Sequence, residues 1–136
     1  MPITHGPEET AACGAALARG LHAGDVVLIT GDLGAGKTTF VRGALRALGV
    51  AGPVTSPTFT IGQLHDDSQP PAAHLDLYRL ADLEREDPAL LEDFLTPDRV
   101  AFVEWPEVGE PAFSTVRHRV SIQHAGGDRR QIEIDP

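Results

Sequence analysis

The string Gly31-Asp32-Leu33-Gly34-Ala35-Gly36-Lys37-Thr38 constrains the fold more than any other part of the chain. It matches the pattern G-x-x-x-x-G-K-T through Gly31, Gly36, Lys37 and Thr38, and such a pattern has meaning only between a strand and a helix. Both flanks are right. Before it stands Val26-Val27-Leu28-Ile29-Thr30, a short apolar, β-branched run that reads as a buried parallel strand. After it Phe40, Val41, Ala44, Leu45 and Leu48 recur at helical spacing, with Arg42 and Arg46 on the other side and Gly49 as the stop. Gly43 costs that helix about 1 kcal/mol relative to Ala, which points to close packing there.

A strand, a glycine loop and a helix in this order make a phosphate cradle. The loop turns backbone N–H groups inward, the helix N-terminus adds a positive dipole end, a lysine reaches the outer phosphates and a threonine hydroxyl ligates magnesium. The stretch from Gly31 through Asp32, Leu33, Gly34, Ala35, Gly36, Lys37, Thr38 and Thr39 is therefore expected to bind a nucleoside triphosphate, ATP with Mg2+, with Thr38 at the metal. Lys37 is also the sole lysine among 11 basic residues. In a chain otherwise built with arginine, this marks a site where a compact ammonium serves better than a planar guanidinium.

Hydrolysis needs a second metal anchor and a group to orient water. Two acids stand at the ends of predicted strands, where open α/β sheets place their ligands. They are Asp76, after Ala72-Ala73-His74-Leu75, and Glu104, after Arg99-Val100-Ala101-Phe102-Val103. Thr58, within Ser56-Pro57-Thr58-Phe59, follows the loop helix at the distance of a switch segment that senses the γ-phosphate; a plain proline turn is the other reading.

The remaining elements are less specific. Glu8 to Gly20, with Pro7 and two acids at its start, suits a helix ending at Gly20 or Gly24. Leu80 to Leu95 reads as an acidic amphipathic helical stretch split by Pro88. Arg117 to Gln123 and Gln131 to Ile134 alternate around Gly126-Gly127-Asp128 as a terminal antiparallel β-hairpin. The 136 residues are expected to form one domain. No apolar run reaches membrane-spanning length, the start lacks the features of a signal peptide, and the single cysteine, Cys13, reads as a packing residue in a cytoplasmic protein. A net charge of −9 argues against direct, stable binding to nucleic acid.

Four strings occur in order: the loop extended to Thr39-Phe40; Ser56-Pro57-Thr58-Phe59-Thr60; His74-Leu75-Asp76-Leu77-Tyr78-Arg79-Leu80; and Glu104-Trp105-Pro106-Glu107. Together they resemble the TsaE (YjeE) family, the ATPase component of the bacterial machinery for threonylcarbamoyladenosine in tRNA. The resemblance covers nearly the whole chain. It implies an α/β, P-loop NTPase-like three-layer fold, with a mixed, mainly parallel sheet flanked by helices. It also implies a weak ATPase acting with two partners, the transferase subunit and its inactive paralogue, which install threonylcarbamoyl on adenosine 37 of tRNA. Contact with tRNA would be indirect, and no membrane is involved.

By the same resemblance Thr38 and Glu104 sit at magnesium, Asp76 near the γ-phosphate or attacking water, and Trp105 near the nucleotide, so that Lys37, Asp76 and Glu104 carry the catalysis. Glu8 or Glu9 in the first helix and Arg129 in the hairpin fall where the family also contacts nucleotide. The chain departs from the family at Glu86-Asp87-Pro88-Ala89, where a glycine-containing turn is usual. Two rival readings use the same loop. A small-molecule kinase would need a basic lid over the phosphates, and Arg79, Arg85 and Arg99 are scattered instead. A nucleotide-switched binding module would hold the nucleotide with negligible turnover.

Overall fold

The computed structural model describes residues 3–32, 34–52, 54, 62–76, 95–105 and 116–135. In chain order these form β1 (Ile3–Thr4), α1 (Pro7–Ala18), β2 (Val26–Thr30), α2 (Lys37–Leu48), β3 (Gly62–His65), β4 (Ala72–Asp76), β5 (Val100–Glu104), β6 (His118–His124) and β7 (Arg130–Asp135). The strands make one sheet in the order β1-β7-β6-β2-β5-β4-β3. Parallel pairing joins β6 to β2, β2 to β5 and β5 to β4 at its centre. Antiparallel pairing adds β7 and β1 at one edge and β3 at the other.

The sheet is thus mixed rather than mainly parallel, a correction to the expectation above. Its cause is the edges. β1 and β3 are only two and four residues long and lack the apolar run that reveals a buried strand. The terminal hairpin is present as β6 and β7, and β2, β4 and β5 fall where apolar runs predicted them.

Alternation along the strands sorts the core into two faces. Val27, Ile29, Val100, Phe102, Val120, Ile122 and Ile132 pack with Phe40, Val41, Ala44, Leu45 and Leu48 of α2 and Ala18 of α1. Leu28, Leu75, Ala101 and Val103 face the other way, with Val26, Leu95, Trp105 and Val116 against them. Both described helices therefore lie on one face, and the acidic stretch expected to be helical lies outside the described residues except for Leu95. A three-layer arrangement is accordingly not seen among the described residues. None of the described helices is long and apolar enough to cross a membrane.

α1 begins with Pro7 at its first turn beside Glu8 and Glu9, and ends at Ala18, slightly short of Gly20. It packs on α2 through two glycines that admit no side chain. A Cβ on Gly14 would stand 2.0 Å from the Phe40 carbonyl oxygen, and one on Gly43 1.9 Å from that of Ala11. The close packing expected at Gly43 is what brings the two helix axes together, and it sets α1 beneath the glycine loop, where Thr10 lies 3.7 Å from the position of a Cβ on Gly36.

Candidate nucleotide site

The glycine loop leaves β2, a strand flanked on both sides by the parallel neighbours β6 and β5, and enters α2 at the carboxyl edge of the sheet. Gly31 meets a severe restriction there, because with φ 154° a Cβ would lie 2.4 Å from the Ile122 carbonyl oxygen of β6. Its lack of a side chain thus lets the loop pass over the neighbouring strand as well as form the cradle. Gly36 caps α2 in the left-handed region, and the first turn of α2 carries no acidic side chain to offset its positive end.

Lys37 is folded back into this loop and is only 5% exposed. Its Nζ donates to the carbonyl oxygens of Gly31 at 2.6 Å and Asp32 at 2.7 Å, and stands 4.3 Å from the centroid of the Trp105 ring. Trp105 holds a positive φ of 59° directly after β5. That conformation is costly for a bulky residue, and such strain gathers at functional sites. It makes a sharp turn off the strand that leaves the indole beside the lysine.

On the next turn of the cleft, the Thr38 hydroxyl faces both oxygens of Glu104 at 3.1 Å. Glu104 is 2% exposed, and its Oε2 also accepts from Nε2 of the fully buried His74 at 2.5 Å. The β4–β5 register sets Asp76 directly beside Glu104. Gly34, Gly36, Lys37, Thr38, Thr39, Asp76, Glu104 and Trp105 line one cleft of about 340 Å³. A second cleft of about 510 Å³ adjoins it at Trp105, bounded by Thr30, Gly31, Asp32, Ser121, Gln123 and His124.

Hard oxygen donors suit a hard cation, and the Thr38 hydroxyl facing a carboxylate is such a pair. Among the described residues no group of three or more His, Cys, Asp or Glu side chains is set to hold a metal alone. Thr38 and Glu104 could therefore hold such a cation only together with oxygens from a bound ligand or water.

Among the described residues, other expected positions do not line the cleft. Glu8 is exposed on the first turn of α1, and Glu9 is exposed and bonded to His5 through both its backbone N–H and its ring. Arg129 is exposed at the hairpin turn, its Nε directed to the Gly126 carbonyl at 3.5 Å. Leu33 and Thr58 lie outside the described residues, as does the Glu86–Ala89 departure. Ala35 is fully buried under the loop.

Two residues not singled out as site residues from sequence do meet the site. His74 grips Glu104. Arg130 spans the loop and the hairpin, with Nε donating to the Ala35 carbonyl at 2.9 Å, Nη2 to that of Gly34 at 3.4 Å, and Nη1 to those of Gly127 at 2.9 Å and Arg129 at 2.8 Å. Cys13 packs partly buried against the core, and burial pushes its thiol pKa up, away from the reactive thiolate.

Comparison with known proteins agrees with this arrangement along nearly the whole chain. The family model described as threonylcarbamoyl adenosine biosynthesis protein TsaE matches residues 4–132. The tRNA threonylcarbamoyladenosine biosynthesis protein TsaE of Bacillus subtilis is 41% identical over 129 residues, which cover 95% of this chain and 80% of that one. Its namesake from Streptomyces coelicolor is 44% identical over 117 residues, covering 85% and 79%. The crystal structure of Bacillus subtilis YdiB superposes with a TM-score of 0.79 at 37% identity, covering 96% of this chain and 80% of that one. With the family model and these relatives spanning its loop, sheet and hairpin, the chain belongs to the TsaE family of threonylcarbamoyl adenosine biosynthesis proteins.

Proposed function

We propose that this protein binds ATP with magnesium on loop 31–38 and is a weak ATPase that supports the installation of threonylcarbamoyl on adenosine 37 of tRNA. The observation that carries the reading is the meeting of Thr38, Glu104 and Lys37 in one cleft at the head of a helix with no acid in its first turn. Such a helix start favours a bound polyanion. The β- and γ-phosphates would lie over the loop, Lys37 exchanging its bonds to the Gly31 and Asp32 carbonyls for bonds to phosphate. The second cleft, across Trp105, has the polar side chains and the room to take the nucleoside.

Thr38 and Glu104 would hold magnesium, which when bound neutralises charge on the phosphates. Asp76, beside Glu104 at the cleft, is the group in reach to orient the attacking water. The buried Glu104–His74 pair and the Trp105 ring would close one side of the cleft to water. The protein would work in the cytoplasm as one domain, with the transferase subunit and its inactive paralogue as partners and tRNA reached through them.

Calorimetric titration with ATP, with and without magnesium, tests the site. Phosphate release by the isolated chain, by the chain with the two partners and tRNA, and by the chain with candidate metabolites tests the rest. The expected result is slow release alone and stimulated release in the reconstituted complex. Phosphoryl transfer to a metabolite would point instead to a kinase, and binding with no release under any condition to a nucleotide-switched binding module.

A further inference from the structure

Glu104 is buried, and a buried carboxyl group is held in one direction by the donors that reach it. Two described side chains do so. Thr38 has one hydroxyl hydrogen, which it divides between the two oxygens at 3.1 Å each. His74 gives a single directed bond to Oε2 at 2.5 Å. Its place in the sheet explains the reach: His74 pairs with Phe102 of β5, so Glu104 is two residues along on the same face.

The opposite side of the imidazole is informative. His74 is fully buried, yet its Nδ1 has no hydrogen-bond partner among the described residues. Gln63, its register partner on β3, does not supply one, and the Gln63 Oε1 is itself buried and without a partner among the described residues. An apolar side chain of similar size would fill this position without leaving a nitrogen unsatisfied. Packing therefore does not account for a histidine here. Donation from Nε2 to the Glu104 carboxylate does.

We infer that His74 is a positioning residue, whose Nε2–H holds the Glu104 carboxylate in the orientation that receives magnesium in the nucleotide cleft. The inference rests on the proposed reading of Thr38 and Glu104 as the magnesium-side oxygens. In that reading Thr38 turns its oxygen toward the metal, which leaves the bond from His74 as the fixed support of Glu104. Partners that orient a ligating carboxylate typically change metal affinity by about 10–100-fold when removed.

The test is calorimetric titration of the full chain with ATP in EDTA and at graded magnesium concentrations, with thermal melting to establish folding. His74→Leu should bind ATP in EDTA within about twofold of wild type, while the magnesium concentration needed for half of the full effect rises by about 10–100-fold. His74→Gln, which sets an amide N–H near the position of Nε2, should recover most of the loss. His74→Asn, whose shorter amide falls near Nδ1, should not. If ATP binding by the wild type ignores magnesium, the reading of Thr38 and Glu104 fails and this inference with it. If the wild type responds to magnesium and His74→Leu responds identically, the inference alone is overturned. Should His74→Leu not fold, the comparison of Gln with Asn decides, and equal magnesium requirements in those two overturn it.

Discussion

The Lys37 ammonium lies 4.3 Å from the centroid of the Trp105 ring, and the same nitrogen is bonded to two carbonyl oxygens of the glycine loop. A cation over an aromatic face is held by the ring's quadrupole, and the pair is shielded here because Lys37 is almost wholly buried. The proposed phosphate ligand is thus parked between its loop and the chain's single tryptophan. Nucleotide binding that draws Lys37 to phosphate must change what the indole faces. Titration with magnesium ATP should change tryptophan emission saturably, and Lys37→Ala should abolish the response. Binding seen by calorimetry with unchanged emission would show that Lys37 does not leave the ring.

Lys37→Ala also has a structural side that the loop pattern alone does not reveal. Removing the ammonium leaves the Gly31 and Asp32 carbonyls without their charged donor, and a hydrogen bond to a charged group is worth roughly 1.5–3 kcal/mol. The variant should fold, melt a few degrees lower than wild type and bind ATP at least tenfold more weakly. An unchanged melting temperature would mean that water replaces the lysine at no cost.

Glu104→Gln and Asp76→Asn keep the shape of the cleft while removing one charge each. Both residues line it, side by side in the β4–β5 register. ATP affinity in either variant should stay within about tenfold of wild type, whereas phosphate release in the reconstituted complex should fall by about a hundredfold or more, the scale of a lost proton-handling or water-orienting group. Wild-type release from either variant would remove that residue from the chemistry.

Gly43→Ala tests the contact that seats α1 under the loop. The added methyl would stand 1.9 Å from the Ala11 oxygen and 2.5 Å from its carbonyl carbon, so backbone must move against backbone. Overpacking of this kind costs about 1–3 kcal/mol or more. Thermal melting should show a clear drop, while Gly52→Ala, with nothing within 4 Å of its new Cβ, should be close to neutral. Equal melting of the two variants would mean that the helices separate freely.

Legibility in the sequence followed the range of the physics. The strand before the loop, the helix after it and the acids at two strand ends are set by contiguous residues, so apolar runs and helical spacing locate them. β1 was invisible because Ile3–Thr4 has two residues and acquires its strand character only by pairing with Gln131 and Arg130. β3 was invisible because Gly62-Gln63-Leu64-His65 carries one large apolar side chain, which is 44% exposed. The antiparallel pairing beyond the terminal hairpin went with them. At the site, His74 sits in a string whose aspartate drew attention, and its bond to Glu104 depends on a register between strands that no local pattern encodes. A lone histidine in an apolar run signals only burial; paired with an acid at the end of another predicted strand, it could have been flagged.

Arg129 and Arg130 show the same limit at its sharpest, because consecutive residues at the start of a strand point to opposite sides and a shift of one residue changes every contact. Resemblance directed attention to Arg129, which is exposed at the turn. The loop is gripped by Arg130, whose guanidinium takes up the carbonyls of Gly34 and Ala35 and those of Gly127 and Arg129. With the Gly34 and Ala35 carbonyls engaged from behind, the loop is braced against the hairpin before any ligand arrives, and a braced loop binds without the entropic cost of ordering it. Arg130→Ala should therefore lower ATP affinity by about tenfold and speed amide exchange across residues 34–36, even though the side chain lines neither cleft. Arg129→Ala should leave both quantities within about twofold of wild type, as surface substitutions generally do. A larger loss of affinity in Arg129→Ala than in Arg130→Ala would reverse the assignment, making Arg129 a nucleotide contact reached on binding and the Arg130 brace a matter of hairpin structure alone.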